Sequence, residues 1–478
     1  MHRVNIKSNR VIALRVVAYS VTIFLSIVTT VLLLLIALGY RFNRDGKVIH
    51  SGLVLIDNKP EAAQIYIDGK LEDSRSPGRF VIPIGRYEIS LELDGYKGWK
   101  KNFEIKKEVV ERVDYPLLIP KKLTASPQIT ISSPQLLTQS PNRKNLVYYV
   151  ASDNSLKIID LNPDKPVETS IIIPAAFSRE AGSVGALSTI EWSKNSKNVL
   201  INQALPSGIN KVVSLDINNP ANSVNITDRF AQIAPSYVNY LGSKTDIIYG
   251  LNQGILRQYN LANGESTFVL DGVQSYQNFG DKTVAFTRLS PTSNKIEAGV
   301  LKSDQKAVLE QFDSTAVKPK IAYGEFDDHT YLAISSDDAV RVYRDALNQP
   351  ILKKQIPYVK LPIVSADFIK FSPNNQYLVV RSSTNYAAFD FENVRSSNFS
   401  ITRQIKSDSL DWMNDSHLSY QAVDGQNFII EFDGMNKSGL VKSDLGTGLF
   451  YSSDYRNTFR VNTEGAKTTL DLVLLTVK

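Results

Sequence analysis

The pattern of apolar and polar residues divides the chain into an apolar leader, a short region of alternating strands and a long repetitive region. Residues 16–40 contain no charged side chain. A helix of this length measures about 37 Å, whereas a bilayer core of about 30 Å needs roughly 20 apolar residues. The pattern therefore predicts a transmembrane helix over residues 16–40, preceded by a basic tail at residues 1–15.

A cleaved signal peptide is the alternative interpretation of this leader. The apolar region of a signal peptide usually runs for about 7–15 residues, which is shorter than the run here, although Ala37-Leu38-Gly39 resembles a weak cleavage site. The basic tail and the long body behind the helix favour a cytoplasmic N-terminus. We therefore predict a single-pass protein of the cell membrane with its bulk outside the cytoplasm.

Residues 48–120 alternate between strand-like runs and turn dipeptides. Asp68-Gly69 and Asp94-Gly95 mark tight turns, because glycine tolerates the positive φ that hairpins demand. The alternating run Tyr87–Leu93 suits a sheet with one solvated face. This region is predicted to be a small β-domain.

The order of residues in this region resembles the PEGA domain, a small β-sandwich-like module of surface and envelope proteins. The matching features are Ala63–Gly69, Pro77, Pro83–Tyr87, Asp94–Tyr96 and Trp99. The signature tetrad reads Pro60-Glu61-Ala62-Ala63, with Ala62 where the family has glycine. The resemblance implies an envelope-facing accessory module at residues 48–120 without chemistry of its own.

Tyr96 and Trp99 have two interpretations. They are either an exposed aromatic binding pair or part of the small core, and aromatic residues in a domain of this size more often close the core. The core interpretation is favoured.

A repeat follows the Pro- and Ser-containing stretch 116–141. An aromatic or polar residue at a strand end is followed by a polar turn and then by an apolar strand, with a mean spacing of about 45 residues, which is typical of a β-propeller. The eight anchor residues of this repeat are Gln139, Trp192, Tyr240, Phe279, Phe326, Phe371, Trp412 and Tyr451. We therefore predict a β-propeller over residues 125–478.

A second feature of the repeats is an acid or amide at the end of a strand. Such side chains accept backbone N–H bonds in the following turn, so a structural role is favoured over catalysis. The residues concerned are Asp160, Asp216, Asn260 and Asp390.

The repeats resemble the periplasmic propellers of the Tol system and their WD-type relatives, through turns such as Ser372-Pro373-Asn374-Asn375. The last unit offers only three strands, and Gln128–Ile131 near the start can supply the fourth and so close the ring. Eight blades are favoured, with seven as the alternative. The predicted fold class is all-β, with one transmembrane helix, a PEGA-like module and a propeller.

Composition and charge exclude cysteine-based chemistry and argue against nucleic-acid binding. The chain has no cysteine, which excludes disulfides, thiol catalysis and cysteine-based metal sites. The net charge of +6 equals the six basic residues that lie before Asp45, so the body is neutral overall. A nucleic-acid binder needs a basic footprint, and nucleic acid is therefore not a predicted partner.

No motif predicts catalytic, cofactor-binding or metal-binding residues. Phosphate loops, dinucleotide loops, calcium loops and H-E-x-x-H are missing from the sequence. Ser183 lacks the G-x-S-x-G context of a nucleophile, Asp327-Asp328 is interpreted as a solvated turn, and Ser452–Phe459 resembles a sialidase Asp-box only faintly. The four histidines are far apart in sequence: His2, His50, His329 and His417.

These observations favour a non-enzymatic, membrane-anchored scaffold of the bacterial cell envelope, with the propeller as a platform for an envelope protein. Two alternatives stay open. A receptor for cell-wall glycans or peptidoglycan fragments would use aromatic loop residues. A propeller hydrolase or lyase would pair carboxylates across the channel, and sequence cannot show such a pair.

Overall fold

A computed structural model describes residues 6–37, 40–42, 48–107, 109–132, 134–161, 166–314, 318–348 and 356–475. The chain forms two compact units, which meet in sequence between Lys122 and Leu123. Each unit is built almost entirely from strands apart from one long N-terminal helix.

The N-terminal helix α1 spans Ile6–Ala37. Its segment Ala13–Leu35 is long and apolar enough to cross a membrane, although a signal sequence also meets this criterion. The helix begins ten residues before the predicted position 16, because Lys, Arg and Ala residues of the tail have good helix propensity. It also ends earlier than predicted, since Tyr40 lies in a strand and residues 38–39 lie outside the described part.

Two four-stranded sheets form the small domain that follows. One sheet has the order β1-β2-β5 with β8 parallel to β2, and the other has the order β4-β3-β6-β7. The strands are β1 (Tyr40–Phe42), β2 (Val48–Ile56), β3 (Gln64–Ile67), β4 (Lys70–Arg75), β5 (Gly78–Pro83), β6 (Gly85–Glu92), β7 (Trp99–Ile105) and β8 (Val110–Val113).

The core of this domain lies where alternate residues of the strands face inward. Ile65 and Leu91, which are paired in the antiparallel ladder between β3 and β6, are fully buried. Tyr96 and Trp99 are 5% and 3% exposed and belong to the same apolar cluster. The core interpretation of these two aromatic residues is therefore correct.

The signature tetrad turns through a left-handed residue. Ala62 has a φ of 70°, a region in which glycine is free of the steric cost that a Cβ brings. The turn is nevertheless held firmly, because Ala62 N donates to Ser76 O at 2.9 Å and Arg75 Nη1 donates to Ala62 O at 2.9 Å. The structure thus keeps the geometry of a glycine turn with alanine in its place.

The C-terminal unit consists of eight four-stranded antiparallel sheets within the described residues. Blade 1 contains β10 (Pro134–Gln139), β11 (Asn145–Val150), β12 (Ser155–Asp160) and β13 (Val167–Ile171), and blade 2 contains β14 (Ala186–Trp192), β15 (Asn198–Ala204), β16 (Asn210–Asp216) and β17 (Val224–Asn225). Blade 3 contains β18 (Tyr237–Tyr240), β19 (Ile247–Asn252), β20 (Ile255–Asn260) and β21 (Ser266–Leu270), and blade 4 contains β22 (Val273–Phe279), β23 (Thr283–Leu289), β24 (Lys295–Lys302) and β25 (Gln305–Asp313).

Blades 5 to 8 continue the same order. They contain β26 (Ile321–Phe326), β27 (His329–Ser335), β28 (Val340–Arg344), β29 (Val359–Leu361); β30 (Phe368–Phe371), β31 (Tyr377–Ser382), β32 (Asn385–Asp390), β33 (Arg395–Ser400); β34 (Asp411–Trp412), β35 (His417–Gln421), β36 (Gln426–Glu431), β37 (Ser438–Lys442); and β38 (Leu449–Tyr451), β39 (Asn457–Glu464), β40 (Lys467–Leu474), with β9 (Ala125–Ile131) as the outer strand of blade 8. Blades 2 and 3 are also connected by a short helix α2 (Ile226–Arg229) between 3₁₀ turns at Pro220–Asn222 and Ala231–Ile233.

The anchors of the sequence repeat occupy one position in every blade. Each of the eight predicted residues, from Gln139 to Tyr451, is the last residue of the first strand of its blade. We call the side on which first strands begin the upper face and the side on which they end the lower face. This regular arrangement confirms the predicted β-propeller.

Strand β9 closes the ring. It pairs with β40 in an antiparallel ladder from Thr468↔Ile131 to Val473↔Ala125, as the sequence predicts for the fourth strand of the last unit. Ile131 is 1% exposed and packs in one apolar cluster with Leu146 of blade 1 and Phe459 of blade 8. The first and last blades are therefore neighbours.

The turns after the first strands share a hydrogen-bonding pattern. In blade 2 the Ser193 hydroxyl donates to Asn195 Oδ1 at 2.8 Å and accepts from Asn198 N at 2.9 Å. Ser196 in this turn has a φ of 61°. The residues with the same position and a positive φ in blades 1, 6 and 8 are Arg143, Asn375 and Tyr455.

The acids and amides at the ends of the third strands bind the following turns. Asp216 Oδ1 accepts from Asn218 N and Asn219 N, both at 2.9 Å. Asn260 and Asp390 make the same pair of bonds at 2.9 to 3.2 Å. These bonds agree with the structural role predicted for them, while the turn after Asp160 includes residues outside the described part.

Polar side chains of the inner strands join neighbouring blades. Gln139 donates to Tyr451 O at 2.9 Å, and Gln277 Oε1 accepts from Tyr323 N at 2.9 Å. Glu191 Oε2 accepts from Tyr240 N at 2.7 Å. Burial raises the pKa of Glu191, and the hydrogen bond from Tyr240 N opposes this effect only in part.

We expect the substitution Ala62→Gly to stabilise the small domain by about 1 kcal/mol, because it removes the steric cost of a Cβ at positive φ. Urea unfolding of the full chain, with amide hydrogen exchange in β3 and β6 as the local readout, measures the change. Ala63→Gly is the matched control, since it deletes a fully buried methyl group and should destabilise the same strands. An unfolding free energy that Ala62→Gly leaves unchanged would contradict the prediction.

Ile131→Ala should lower the unfolding free energy of the propeller by about 3 kcal/mol, because truncation of this buried side chain in the closing strand leaves a cavity. Ile129→Ala on the same strand is the control, and its effect should be smaller since Ile129 is only partly buried. Denaturant unfolding followed by circular dichroism separates the two variants. Equal effects would show that the closing strand does not depend on this contact.

The raised pKa of Glu191 predicts a specific pH dependence. Glu191 binds a proton more tightly in the folded state than in the unfolded state. Its contribution to the unfolding free energy is therefore greatest at a pH below the ordinary glutamate pKa, and it falls as the pH rises through the raised pKa. Glu191→Gln keeps an acceptor for Tyr240 N and removes the charge. We expect the variant to match the wild type near about pH 4 and to exceed it in unfolding free energy near about pH 7. A difference that does not vary with pH would refute this assignment.

Candidate binding cleft between blades 7 and 8

A cleft opens where the inner strands are shortest. The first strands of blades 7 and 8 have two and three residues, whereas those of the other blades have four to seven. The gap has a volume of about 290 Å³. Its walls are formed by Asp408, Ser409, Asp411, Trp412, Ser419, Tyr420, Gln421, Asn427 and Gly446–Tyr451, with Gln139 and Arg143 from blade 1.

Gln421 fixes the wall on the upper side. Its side chain is 1% exposed and every polar atom of its amide is used. The amide nitrogen donates to Ser443 Oγ at 2.8 Å and to Asp444 O at 2.9 Å, and its oxygen accepts from Gly446 N at 2.7 Å. The loop that leads into blade 8 is therefore held in one conformation, and the cleft is preformed.

Arg143 contributes a cation from the neighbouring blade. It occupies the left-handed position of the first turn of blade 1, and a guanidinium nitrogen donates to Met413 O of blade 7. The guanidinium lies 4.9 Å from the ring centre of Tyr455 and 5.6 Å from that of Tyr451. Among the described residues it forms no ion pair, so its charge is available to a ligand.

Burial keeps the neighbouring phenol neutral. The pKa of Tyr451 is raised to about 12 by burial, with Arg143 opposing the shift. A neutral hydroxyl does not neutralise the Arg143 charge, and the electrostatic character of this end of the cleft is therefore positive.

Trp412 provides an unused donor. Its side chain is 8% exposed, and the indole N–H has no hydrogen-bond acceptor in the described part of the chain. Trp192, the equivalent residue of blade 2, donates to Thr138 Oγ1 at 2.8 Å. The residue of blade 6 that corresponds to Thr138 is Lys370, which has no acceptor to offer. A buried donor left unpaired costs about 1–3 kcal/mol.

Carboxylates lie toward the upper face. Asp408 is exposed and has a φ of 63°, a sparsely populated region that is enriched at functional sites. Asp411 is ion-paired with Lys370 at 2.5 Å. The cleft thus offers N–H donors near the lower face and a free carboxylate near the upper face, an arrangement that can hold a small hydrogen-bond-accepting group.

Apolar side chains lie in the loops of blade 7 at the upper face. Leu445 is 57% exposed and precedes Gly446 of the cleft wall. Val423, in the adjacent turn of blade 7, is 46% exposed. Exposed apolar residues beside a polar cleft are typical of a surface that a partner covers.

The two histidines whose side chains the structure describes, His329 and His417, lie in different blades. His329 Nδ1 lies 2.6 Å from Asp345 Oδ2 in blade 5, while His417 of blade 7 is 3% exposed and lies 3.1 Å from Asn414 Oδ1. The side chains of His2 and His50 lie outside the described residues. No group of three metal-ligating side chains was found in the part of the chain that the structure describes.

The remaining residues singled out in the sequence belong to turns. Ser183 Oγ accepts from Gly185 N at 3.0 Å in the loop before blade 2. Asp327 and Asp328 both have positive φ in the turn between β26 and β27, and Asp454 Oδ1 accepts from the Ser452 hydroxyl at 2.6 Å in the first turn of blade 8. These contacts are structural.

Sequence reasoning treated Arg143 and Trp412 only as members of the repeat. For Trp412 the sequence contains a signal in the comparison of blades. Trp192 has Thr138 in the preceding blade as its acceptor, whereas the residue at the corresponding position before Trp412 is Lys370. The pairing of Arg143 with Met413 joins residues 270 positions apart and has no local signature.

Comparison with known proteins identifies the first domain. The family model of the PEGA domain matches residues 51–119. Among curated proteins none matches the chain.

Solved structures similar to the chain are propellers. The C-terminal WD40 domain of Sif2 has 10% identity and a TM-score of 0.47, covering 74% of this chain and 99% of that one. BamB from Moraxella catarrhalis has 11% identity and a TM-score of 0.43, with coverage of 74% and 100%. At such identity the likeness concerns the fold alone. Residues 51–119 are thus a PEGA domain, and the sheets that follow it form a β-propeller.

Proposed function

We propose that this protein is a membrane-anchored, extracytoplasmic interaction scaffold of the bacterial envelope, whose propeller binds a protein partner at the cleft between blades 7 and 8. The N-terminal helix is the anchor in this proposal, with the N-terminus in the cytoplasm. The PEGA domain is the module between the anchor and the propeller. A PEGA domain and a propeller are both compatible with such a role.

The observation that carries the proposal is that Trp412, whose indole N–H is unpaired, and Arg143, whose charge has no ion-pair partner among the described residues, line the same cleft. The first strands on either side of this cleft are the shortest of the ring within the described residues, so the junction is more open than the others. A partner carboxylate would accept from the Arg143 guanidinium, and charge-assisted bonds of this kind are about twice as strong as neutral ones.

A glycan receptor receives less support. In the described residues of the propeller, the aromatic side chains that are more than a third exposed are Tyr237 and Phe268, both in strands of blade 3. Tyr237 packs edge-on against Tyr276 with ring centres 5.4 Å apart. Sugar binding by stacking would need aromatic faces at the cleft, and the lining aromatic residues there are buried.

An enzymatic function has no observation in its favour beyond the two aspartates of the cleft. No histidine is among the lining residues, and Asp411 is already ion-paired with Lys370. We therefore assign no reaction to the protein.

Trp412→Phe should weaken partner binding roughly tenfold, because it removes one buried donor while keeping an aromatic ring. Leu445→Asp should weaken it at least as much by placing a charge on the surface beside the cleft. The measurement is cross-linking in intact cells followed by quantitative recovery of the partner with the full-length, tagged protein.

Met435→Asp is the matched control, since Met435 is 45% exposed and lies on the lower face of the same blade. It should leave recovery unchanged. A partner retained in both cleft variants, or lost equally in the control, would refute the proposed site. Calorimetric binding of a peptidoglycan fragment that depends on Trp412 would favour the glycan receptor instead.

A further inference from the structure

The outer face of one PEGA sheet carries rows of side chains that the strand register places side by side. β2 pairs with β5 on one side and with β8 on the other. Residues opposite each other in neighbouring strands have Cβ atoms about 5 Å apart. The register gives an apolar row of Val110, Leu53 and Val81, and next to it a row of Arg112, Leu55 and Arg79.

These rows face away from the core. The alternate residues Val54, Ile56 and Val113 are at most 1% exposed and belong to the core cluster. Val81 and Val110 are each 42% exposed. The solvated face of a sheet that packs only one face on the core is normally polar, so an apolar row here indicates a surface that is covered.

An acidic row follows the basic one. Asp57 and Asp114 come directly after β2 and β8, and with Arg79 and Arg112 they line a hollow of about 420 Å³. The ladder continues to this point, since Asp57 N donates to Val113 O at 2.8 Å. Within the described residues none of these four side chains forms an ion pair, although charges of both signs lie together.

The arrangement of charges indicates what kind of molecule covers this face. An anionic lipid surface would attract the arginines but would be repelled by the two aspartates in the next row. A second copy of the same face does not have this conflict. A two-fold axis that lies in the plane of the interface, parallel to the rows and midway between the basic and the acidic row, turns the two outer faces toward each other. It sets the basic row of each copy opposite the acidic row of the other, which is the condition for a self-complementary interface.

We propose that the protein forms a homodimer through this outer face of the PEGA domain, with Arg79 and Arg112 of each copy bound to Asp57 and Asp114 of the other. The apolar row lies beside these ion pairs and is partly covered in the dimer. The interface is separate from the cleft of the propeller and does not depend on the partner proposed for that cleft.

Charge reversal tests the proposal with the full-length protein in detergent micelles, using light scattering to measure mass. An acidic variant carries Arg79→Asp and Arg112→Asp, and a basic variant carries Asp57→Arg and Asp114→Arg. We expect the wild type to be dimeric, each variant alone to dissociate at least tenfold more readily, and the mixture of the two variants to recover a heterodimer.

Folding is checked by circular dichroism, and the recovered heterodimer itself shows that both variants are folded. A monomeric wild type, two variants that dimerise like the wild type, or a mixture that stays monomeric would each overturn the proposal. If a membrane or another protein covers this face instead of a second copy, the wild type will be monomeric.

Cross-linking gives an independent measurement, because the chain has no cysteine. Leu55→Cys places a single thiol near the proposed axis and should form a disulfide-linked dimer in native membranes. Leu71→Cys is the control, since Leu71 is 50% exposed on the other sheet of the same unit. Equal yields from the two positions would also overturn the proposal.

Discussion

A four-stranded sheet that is apolar on both faces must be covered on both sides, and this constraint governs the propeller. The second strands show it most clearly, since five consecutive residues of β11, Leu146–Val150, are all buried. In an open row of such sheets the first and the last would each expose one face. The ladder between β9 and β40 removes both exposed faces at once, because it places the two ends of the unit in one blade.

Closure also limits what the inner strands are free to do. Each first strand has a neighbour across a junction, and side chains such as Gln139, Glu191 and Gln277 bond to backbone groups of a neighbouring blade. Groups used in this way are not available for ligands. The junction of blades 7 and 8 leaves a cleft because its first strands are short. On the side of blade 6, Trp412 lacks the acceptor that Trp192 has in its preceding blade.

The repeated elements could be predicted because they follow from local chemistry. An anchor residue, a turn with serine and an amide, and an apolar strand recur in sequence, and the closing role of Gln128–Ile131 followed from counting strands. The cleft could not be predicted in this way. It depends on the length of two strands and on a contact between Arg143 and Met413, which only the closed ring brings together.

The PEGA domain shows the same division between local and register-dependent features. The turn at Asp68-Gly69 and the burial of Trp99 follow from residue type and spacing. The rows on the outer face do not, because β2 and β8 are parallel and more than fifty residues apart, and only their register decides that Arg112 lies beside Leu55.

The two surfaces have different physical requirements, and this difference explains why both can exist in one chain. A self-complementary face needs equal numbers of opposite charges in adjacent rows, as the outer sheet of the PEGA domain has. A cleft for a different molecule needs unsatisfied groups of one kind. The Trp412 indole N–H has no acceptor, and the Arg143 guanidinium, which donates to Met413 O, has no ion-pair partner among the described residues. In the proposed assembly a second copy would satisfy the charges of the PEGA face, whereas the proposed partner of the cleft would need acceptor groups and therefore a different chemistry.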